Sequence, residues 1–214
     1  MDYADYSVVL TNGTVSDLTF YRPFLEEANF IIAADGGATI ATRLGVRPSV
    51  LIGDFDSLPE EDQDVLSAQE VKVIRYPVHK DKTDSHLAVE YALKLSPRNI
   101  IILGPLRGRL DHTLANVGLL FLIRSAGKKG YLVDETNFCQ LSGSECWITG
   151  NIGQLVSLIP LSEEVKGVST IGLGYPLTGS TLRRCDSLGV SNFLVEAQAR
   201  VAVTSGDLLI VQVR

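Results

Sequence analysis

FIIAADGGATIATRLG, residues 30–45, is the stretch on which the fold turns. Phe30–Ala34 is a short apolar run and reads as a strand. Ala38–Leu44 comes next with a helical pattern, and Gly45 stands where a helix C-cap belongs. Between them lie Asp35 and the pair Gly36–Gly37. The pair is either an ordinary tight turn or a way for backbone to approach a phosphate at a helix N-terminus.

The same strand–turn–helix unit recurs on both sides of this stretch. Further strands are expected at Ser7–Leu10, Val50–Ile52, Val71–Arg75, Ile100–Leu103 and Tyr131–Val133. Helices are expected at Asp17–Glu27, Glu60–Ala68, Asp84–Leu95 and Asp111–Ala126, with Pro59 where a first helical turn tolerates proline. Strands alternating with helices predict an α/β domain, residues 1–141, whose mostly parallel sheet carries helices on both faces. From Ser142 onward no helical period is found. Gln154–Ile159, Leu194–Val203 and Leu208–Val213 are short runs broken by glycines, Pro160 and Pro176, so residues 142–214 are expected to form an antiparallel β-sandwich.

Composition narrows the function classes. The 214 residues carry 19 basic and 25 acidic side chains, a net charge of −6 that argues against a nucleic-acid partner. No stretch approaches the roughly 20 apolar residues of a membrane helix. An acidic N-terminus, with Cys139, Cys146 and Cys185 in no CxxC pair, points to a cytoplasmic protein with free thiols.

The chemistry lies at the strand ends. Asp35 comes directly after Phe30–Ala34, and Asp54 and Asp56 come after Val50–Ile52 in GDFDS. Asp81 and Asp84 come after Val71–Arg75 in HKDKTDS, while Arg109 and Asp111 come after Ile100–Leu103 in GPLRGRLDH. The carboxyl ends of parallel strands share one rim, where ligands bind. So many carboxylates on one rim repel one another without a cation, and hard oxygen donors suit Mg²⁺ together with substrate phosphates. Each motif alone has a plainer account. DxD is often a solvated turn, Asp84 could be a helix N-cap, and Arg109–Asp111 could be a surface ion pair. Their joint placement after consecutive strands favours a site. No GxxxxGK[ST], GxGxxG or GxSxG pattern is present, which leaves metal-assisted phosphoryl transfer, with Lys80, Lys82, Arg107 and Arg109 available against phosphate charge.

ADGGA, GDFDS, DKTDSHLA and GRLDHTLAN, then GLGYPL and GVSN, occur in an order that resembles the thiamine pyrophosphokinase family. The resemblance covers nearly the whole chain. It implies an ATP- and Mg²⁺-binding α/β domain, a thiamine-binding β-sandwich, and a homodimer with active sites at the interface. By position it assigns Asp54, Asp56 and Asp84 to Mg²⁺. Asp35, Gly36, Ser57, Asp81, Thr83 and Arg109 fall to the nucleotide and its phosphates, and Asp111, Ser191 and Asn192 to thiamine. Tyr175 and Phe193 are both candidates for stacking on thiamine, with core packing the alternative for each.

The implied reaction moves a pyrophosphoryl group from ATP to the thiamine hydroxyl and releases AMP. Asp84 and Asp111 are both candidates to accept the hydroxyl proton. Two other readings stay open: pyrophosphoryl transfer to another heterocyclic alcohol, such as a hydroxymethyl pterin, and a non-catalytic nucleotide-sensing module.

Overall fold

The structure is a computed structural model that describes residues 5–13, 15–55, 58–106 and 108–214. Contacts divide the chain into an N-terminal unit ending at Glu135 and a C-terminal unit starting at Thr136. That division falls before the 141/142 boundary expected from sequence. The reason is β7 (Asn137–Leu141), which pairs antiparallel with β14 (Leu208–Val213), from Val213 opposite Asn137 to Leu209 opposite Leu141.

The N-terminal unit contains β1 (Tyr6–Leu10), β2 (Phe30–Ala34), β3 (Val50–Gly53), β4 (Lys72–Arg75), β5 (Asn99–Leu103) and β6 (Lys129–Val133). They pair in parallel in the order β6-β5-β1-β2-β3-β4. Val8 of β1 sits opposite Ile31 on one side and Ile101 on the other. Central strands covered on both faces need apolar side chains in both directions, and β1 is buried along its whole length.

The helices are α1 (Arg22–Glu26), α2 (Gly37–Leu44), α3 (Glu60–Ala68), α4 (Asp84–Leu93) and α5 (Leu110–Ser125). The chain steps outward from β1 to β4, then returns across the sheet to β5 and β6. Right-handed crossovers therefore send α1 to α3 to one face and α4 and α5 to the other. Accordingly α2 packs on α3 and α4 packs on α5. In returning from the β4 edge, α4 crosses β3, β2 and β1 and contacts all three.

One expected helix is not continuous. Asp17–Glu27 splits into a 3-10 turn at Leu18–Phe20 and the short α1. Asp17 caps the 3-10 turn by accepting the Thr19 N–H at 2.9 Å. Pro23, in the first turn of α1, has no N–H with which to continue a helix from the preceding turn.

The C-terminal unit adds β8 (Glu145–Thr149), β9 (Leu155–Pro160), β10 (Glu164–Ile171), β11 (Ser180–Arg183), β12 (Asn192–Phe193) and β13 (Gln198–Ala202) to β7 and β14. Within it, β12-β9-β14-β7 and β11-β10-β13-β8 form antiparallel arrays. Val156, Leu158 and Ile210 from the first share one core with Ile148, Val165, Val168, Leu182 and Val201 from the second, which makes this unit a β-sandwich. The expected Leu194–Val203 run is shorter as a strand, because Leu194 forms an isolated bridge to Leu173 instead. Among the described residues no helix is long and apolar enough to cross a membrane.

Candidate active site

In the N-terminal unit, β1 and β5 are neighbours whose outgoing connections leave to opposite faces. The loops after them therefore part and open a crevice at the carboxyl ends of the strands. A cleft of about 820 Å³ lies there. Thr11 and Asn12 line it from the end of β1, Asp35 from β2 and Asp54 from β3. Lys80 to Thr83 reach it from the loop after β4, Asp84 and Ser85 from the first turn of α4, and Gly104, Pro105, Gly108, Arg109, His112 and Asn116 from the segment after β5.

Two turns on this rim hold non-glycine residues in the left-handed region, Asp35 at φ 43° and Phe55 at φ 62°. Such backbone is costly and persists where the surroundings impose it, often at functional sites. Gly36 has an ordinary φ of −61°, so the glycine pair does not serve a left-handed turn. What it supplies is space. A Cβ at Gly36 would overlap the Asn12 side chain, and one at Gly37 the Leu10 carbonyl oxygen. The glycines seat the start of α2 against the end of β1, and Gly36 itself is not among the lining residues.

The charges in the cleft are tightly arranged. Lys80 Nζ lies 3.0 Å from Asp54 Oδ2 and 3.1 Å from Asp84 Oδ1, and all three side chains are largely buried. Thr83, not Asp84, caps α4, its hydroxyl accepting the His86 N–H at 3.2 Å. Asp84 sits in the first turn with its carboxylate not engaged in capping. Burial pushes the Asp84 pKa above the ordinary carboxylate range. Lys80 only partly offsets this, and the nearby Asp54 and Asp35 charges add to it. Burial pulls the Lys80 pKa down, but Asp54 and Asp84 outweigh it and hold the ammonium charged.

This donor set fits a divalent cation. Asp54 and Asp84 already converge on one positive charge, and Asp84 Oδ1 is buried with no hydrogen-bond donor beyond that ionic contact with Lys80. Asp56, the third expected ligand, lies outside the described residues, as do Ser57 and Arg107. Among the described residues no group of three or more carboxylate, histidine or cysteine side chains is placed to hold a metal ion.

The remaining sequence candidates divide. Asp81 and Thr83 line the cleft. Arg109 also lines it, and its guanidinium donates to Asp111 at 2.5 and 3.1 Å in an exposed ion pair. Asp111 itself is not a lining residue. Arg109 holds the Asp111 carboxyl below the usual range, which makes it the poorer proton acceptor of the two aspartates considered. Lys82 lines the cleft while pairing with Glu90 at 2.6 Å.

Thr11, Asn12, His112 and Asn116 are cleft residues to which sequence reading gave no role. Asn116 closes the GRLDHTLAN string; it is a buried amide on α5, and its Nδ2 donates to the Pro105 carbonyl at 3.0 Å, pinning the loop after β5.

In the C-terminal unit, Ser191 is exposed with φ 59°. Asn192 is buried, and its side chain is committed to backbone. Its Oδ1 accepts the Tyr175 and Phe193 N–H groups, each at 2.9 Å, while Nδ2 donates to the Tyr175 carbonyl at 2.8 Å. This clamp sets the Tyr175 ring edge-to-face on Phe193, with centroids 5.5 Å apart. Tyr175 is 64% exposed, whereas Phe193 is half-buried over Gly174, where a Cβ would overlap its ring.

Fold and cleft define a class: an open parallel-sheet protein whose ligand cleft is built from carboxylates at strand ends, joined to a β-sandwich. Comparison with known proteins narrows it. Residues 21–132 match the thiamin pyrophosphokinase catalytic domain, and residues 148–208 match the thiamin pyrophosphokinase vitamin B1 binding domain. The thiamine pyrophosphokinase of Bacillus subtilis (strain 168) is 29% identical over 200 residues, 92% of each chain. A crystal structure of the Bacillus subtilis thiamine pyrophosphokinase superposes with a TM-score of 0.88 at 28% identity, covering 97% of this chain and 98% of that one. The Geobacillus thermodenitrificans thiamin pyrophosphokinase gives 0.84 at 29% identity, covering 98% and 97%. The chain belongs to the thiamin pyrophosphokinase family.

Proposed function

We propose that this protein transfers the pyrophosphoryl group of ATP to the hydroxyl of thiamine, giving thiamine diphosphate and AMP. The observation that carries this is the presence of both family domains in order, the first of which contains the acidic cleft. In the reaction the hydroxyl oxygen bonds to the β-phosphorus, the bond from that phosphorus to the α,β-bridging oxygen breaks, and AMP leaves with that oxygen. The hydroxyl proton passes to a base.

Asp54 and Asp84 are the described residues that would hold Mg²⁺, with Asp56 the third ligand proposed from sequence. Bound there, the ion supplies charge neutralisation at the transferring phosphates. The chain's own groups mainly bind and orient. Asp35, Asp81, Thr83 and Arg109 face the nucleotide and phosphate region of the cleft. Asp84, taken as a metal ligand, is not free to be the base while the ion is bound, and Asp111 stays the other candidate to take the hydroxyl proton. For thiamine we assign the Ser191 turn and the Tyr175–Phe193 ring pair, with Asn192 shaping both rather than meeting the ligand. A homodimer with shared sites belongs to the same reading, supported by the sequence resemblance.

The test is AMP release from Mg·ATP with thiamine, with a hydroxymethyl pterin, and with no acceptor. AMP is expected with thiamine alone. Equal release with the pterin would move the acceptor assignment, and tight ATP binding without AMP in any arm would make the protein a nucleotide sensor.

A further inference from the structure

The place that Asp54 and Asp84 offer to a divalent cation holds the ammonium of Lys80, 3.0 and 3.1 Å from the two carboxylates. Its side chain is only 13% exposed, so this is an enclosed contact and not one of the solvated pairs that contribute little. The lysine comes from the loop between β4 and α4, four residues ahead of Asp84. It is one of the residues that line the cleft. A buried pair of carboxylates with no cation is strongly unfavourable, and removing one partner of a buried ion pair is far costlier than never having built it.

We propose that Lys80 is a tethered stand-in for the metal. In the metal-free protein its ammonium keeps Asp54 and Asp84 drawn together, and a divalent cation enters by displacing it. The proposal rests on the reading of Asp54 and Asp84 as metal ligands. An ammonium on a four-carbon stem suits this role, being a compact charge with rotatable donors and rotamer freedom to leave by. Once displaced, the side chain keeps its charge within a cleft built for phosphates. The device has a thermodynamic consequence. Lysine and metal compete for the same oxygens, so Lys80 must weaken metal binding in the absence of nucleotide, and metal must weaken the hold on Lys80 by the same factor.

The experiment uses the full chain, without nucleotide, with Mn²⁺ as the probe. In calorimetric titrations Lys80→Met is expected to bind Mn²⁺ about tenfold more tightly than wild type, within the usual range of coupling between sites. Its melting temperature without metal should fall and should recover on adding Mn²⁺. In the wild type, labelling of Lys80 by an amine-reactive reagent, read by mass spectrometry, should be slow without metal and faster with Mn²⁺. This second measurement needs no variant to fold. Unchanged Mn²⁺ affinity in Lys80→Met, or Lys80 labelling that Mn²⁺ does not accelerate, overturns the stand-in role. If Asp54→Asn still abolishes Mn²⁺ binding in that case, the metal site itself stands. If Mn²⁺ binds neither wild type nor Lys80→Met, the metal reading fails and the inference fails with it.

Discussion

The cleft of the N-terminal unit and the Tyr175–Asn192 turn of the C-terminal unit use one backbone device for opposite ends. Each contains a non-glycine residue in the left-handed region, Asp35 in the first and Ser191 in the second. In the cleft two carboxylates share a cation: Asp84 Oδ1 is buried against the Lys80 ammonium, and Asp54 draws on that same ammonium. Around Ser191 the polar atoms are spent on shape, with three hydrogen bonds between one Asn192 amide and backbone. A region that leaves carboxylates sharing a cation is ready for a ligand to complete it. A region that satisfies its polar groups presents rings and edges of fixed geometry.

This contrast breaks first at Asp54. Asp54→Asn is expected to lose turnover by about a hundredfold or more, the usual cost of removing an electrostatic element from the transition state, while thermal unfolding stays cooperative. Near-normal turnover at saturating Mg²⁺ would mean that the cleft is not the chemical centre. The same variant sharpens the dimer reading. Mixed by subunit exchange with a variant inactivated in the C-terminal unit, it should recover about a quarter of wild-type activity, since half the dimers are mixed and each holds one intact site. No recovery despite confirmed exchange would place each site within one chain.

The second break is Asn192→Ala. Loss of the clamp should release Tyr175 and raise the thiamine KM on the order of tenfold, about 1.4 kcal/mol of lost ring positioning, with little change in the ATP KM. Asn192→Asp keeps the acceptor for the Tyr175 and Phe193 N–H groups and should fall between wild type and alanine. A parallel rise in both KM values would show general damage to the sandwich instead.

The smallest expected effect concerns stability. Asp84 has a native pKa above its unfolded value, so the native state binds its proton more tightly. Its favourable contribution is complete only below the ordinary carboxylate range and is lost as pH rises from there through the raised native value. At neutral pH the ionised Asp84 therefore costs stability in the metal-free protein. Asp84→Asn should raise the metal-free melting temperature, on the order of 2 °C, and lose that advantage in acid. A lower melting temperature at neutral pH would mean that the Lys80 pairing outweighs the burial of the carboxylate.

Periodicity was a good guide where local signals agreed with tertiary packing. Phe30–Ala34, Glu60–Ala68 and Leu208–Val213 are read from sequence with the bounds found in the structure. Asp17–Glu27 shows the opposite case, because a proline inside a helical pattern decided its course. The site was legible as a set of strand-end carboxylates, since topology alone brings those ends together. Its inner arrangement was not. That Lys80 stands between Asp54 and Asp84 depends on the path of a loop, and Asn192 reaches a backbone 17 residues away in the chain. Asn192, a candidate for thiamine by resemblance, also holds its own turn through three hydrogen bonds, a role that no local signal announces.

The loops that leave β1 and β5 meet so closely that a Cβ on Gly13 would overlap the carbonyl oxygen of Gly104. Neither residue brings a side chain, yet Gly104 lines the crevice and Gly13 is packed directly against it. In a saturation screen scored by growth, Gly13 should tolerate replacement as poorly as the aspartates. Its failures would show as loss of folded protein, whereas theirs would leave intact but idle enzyme.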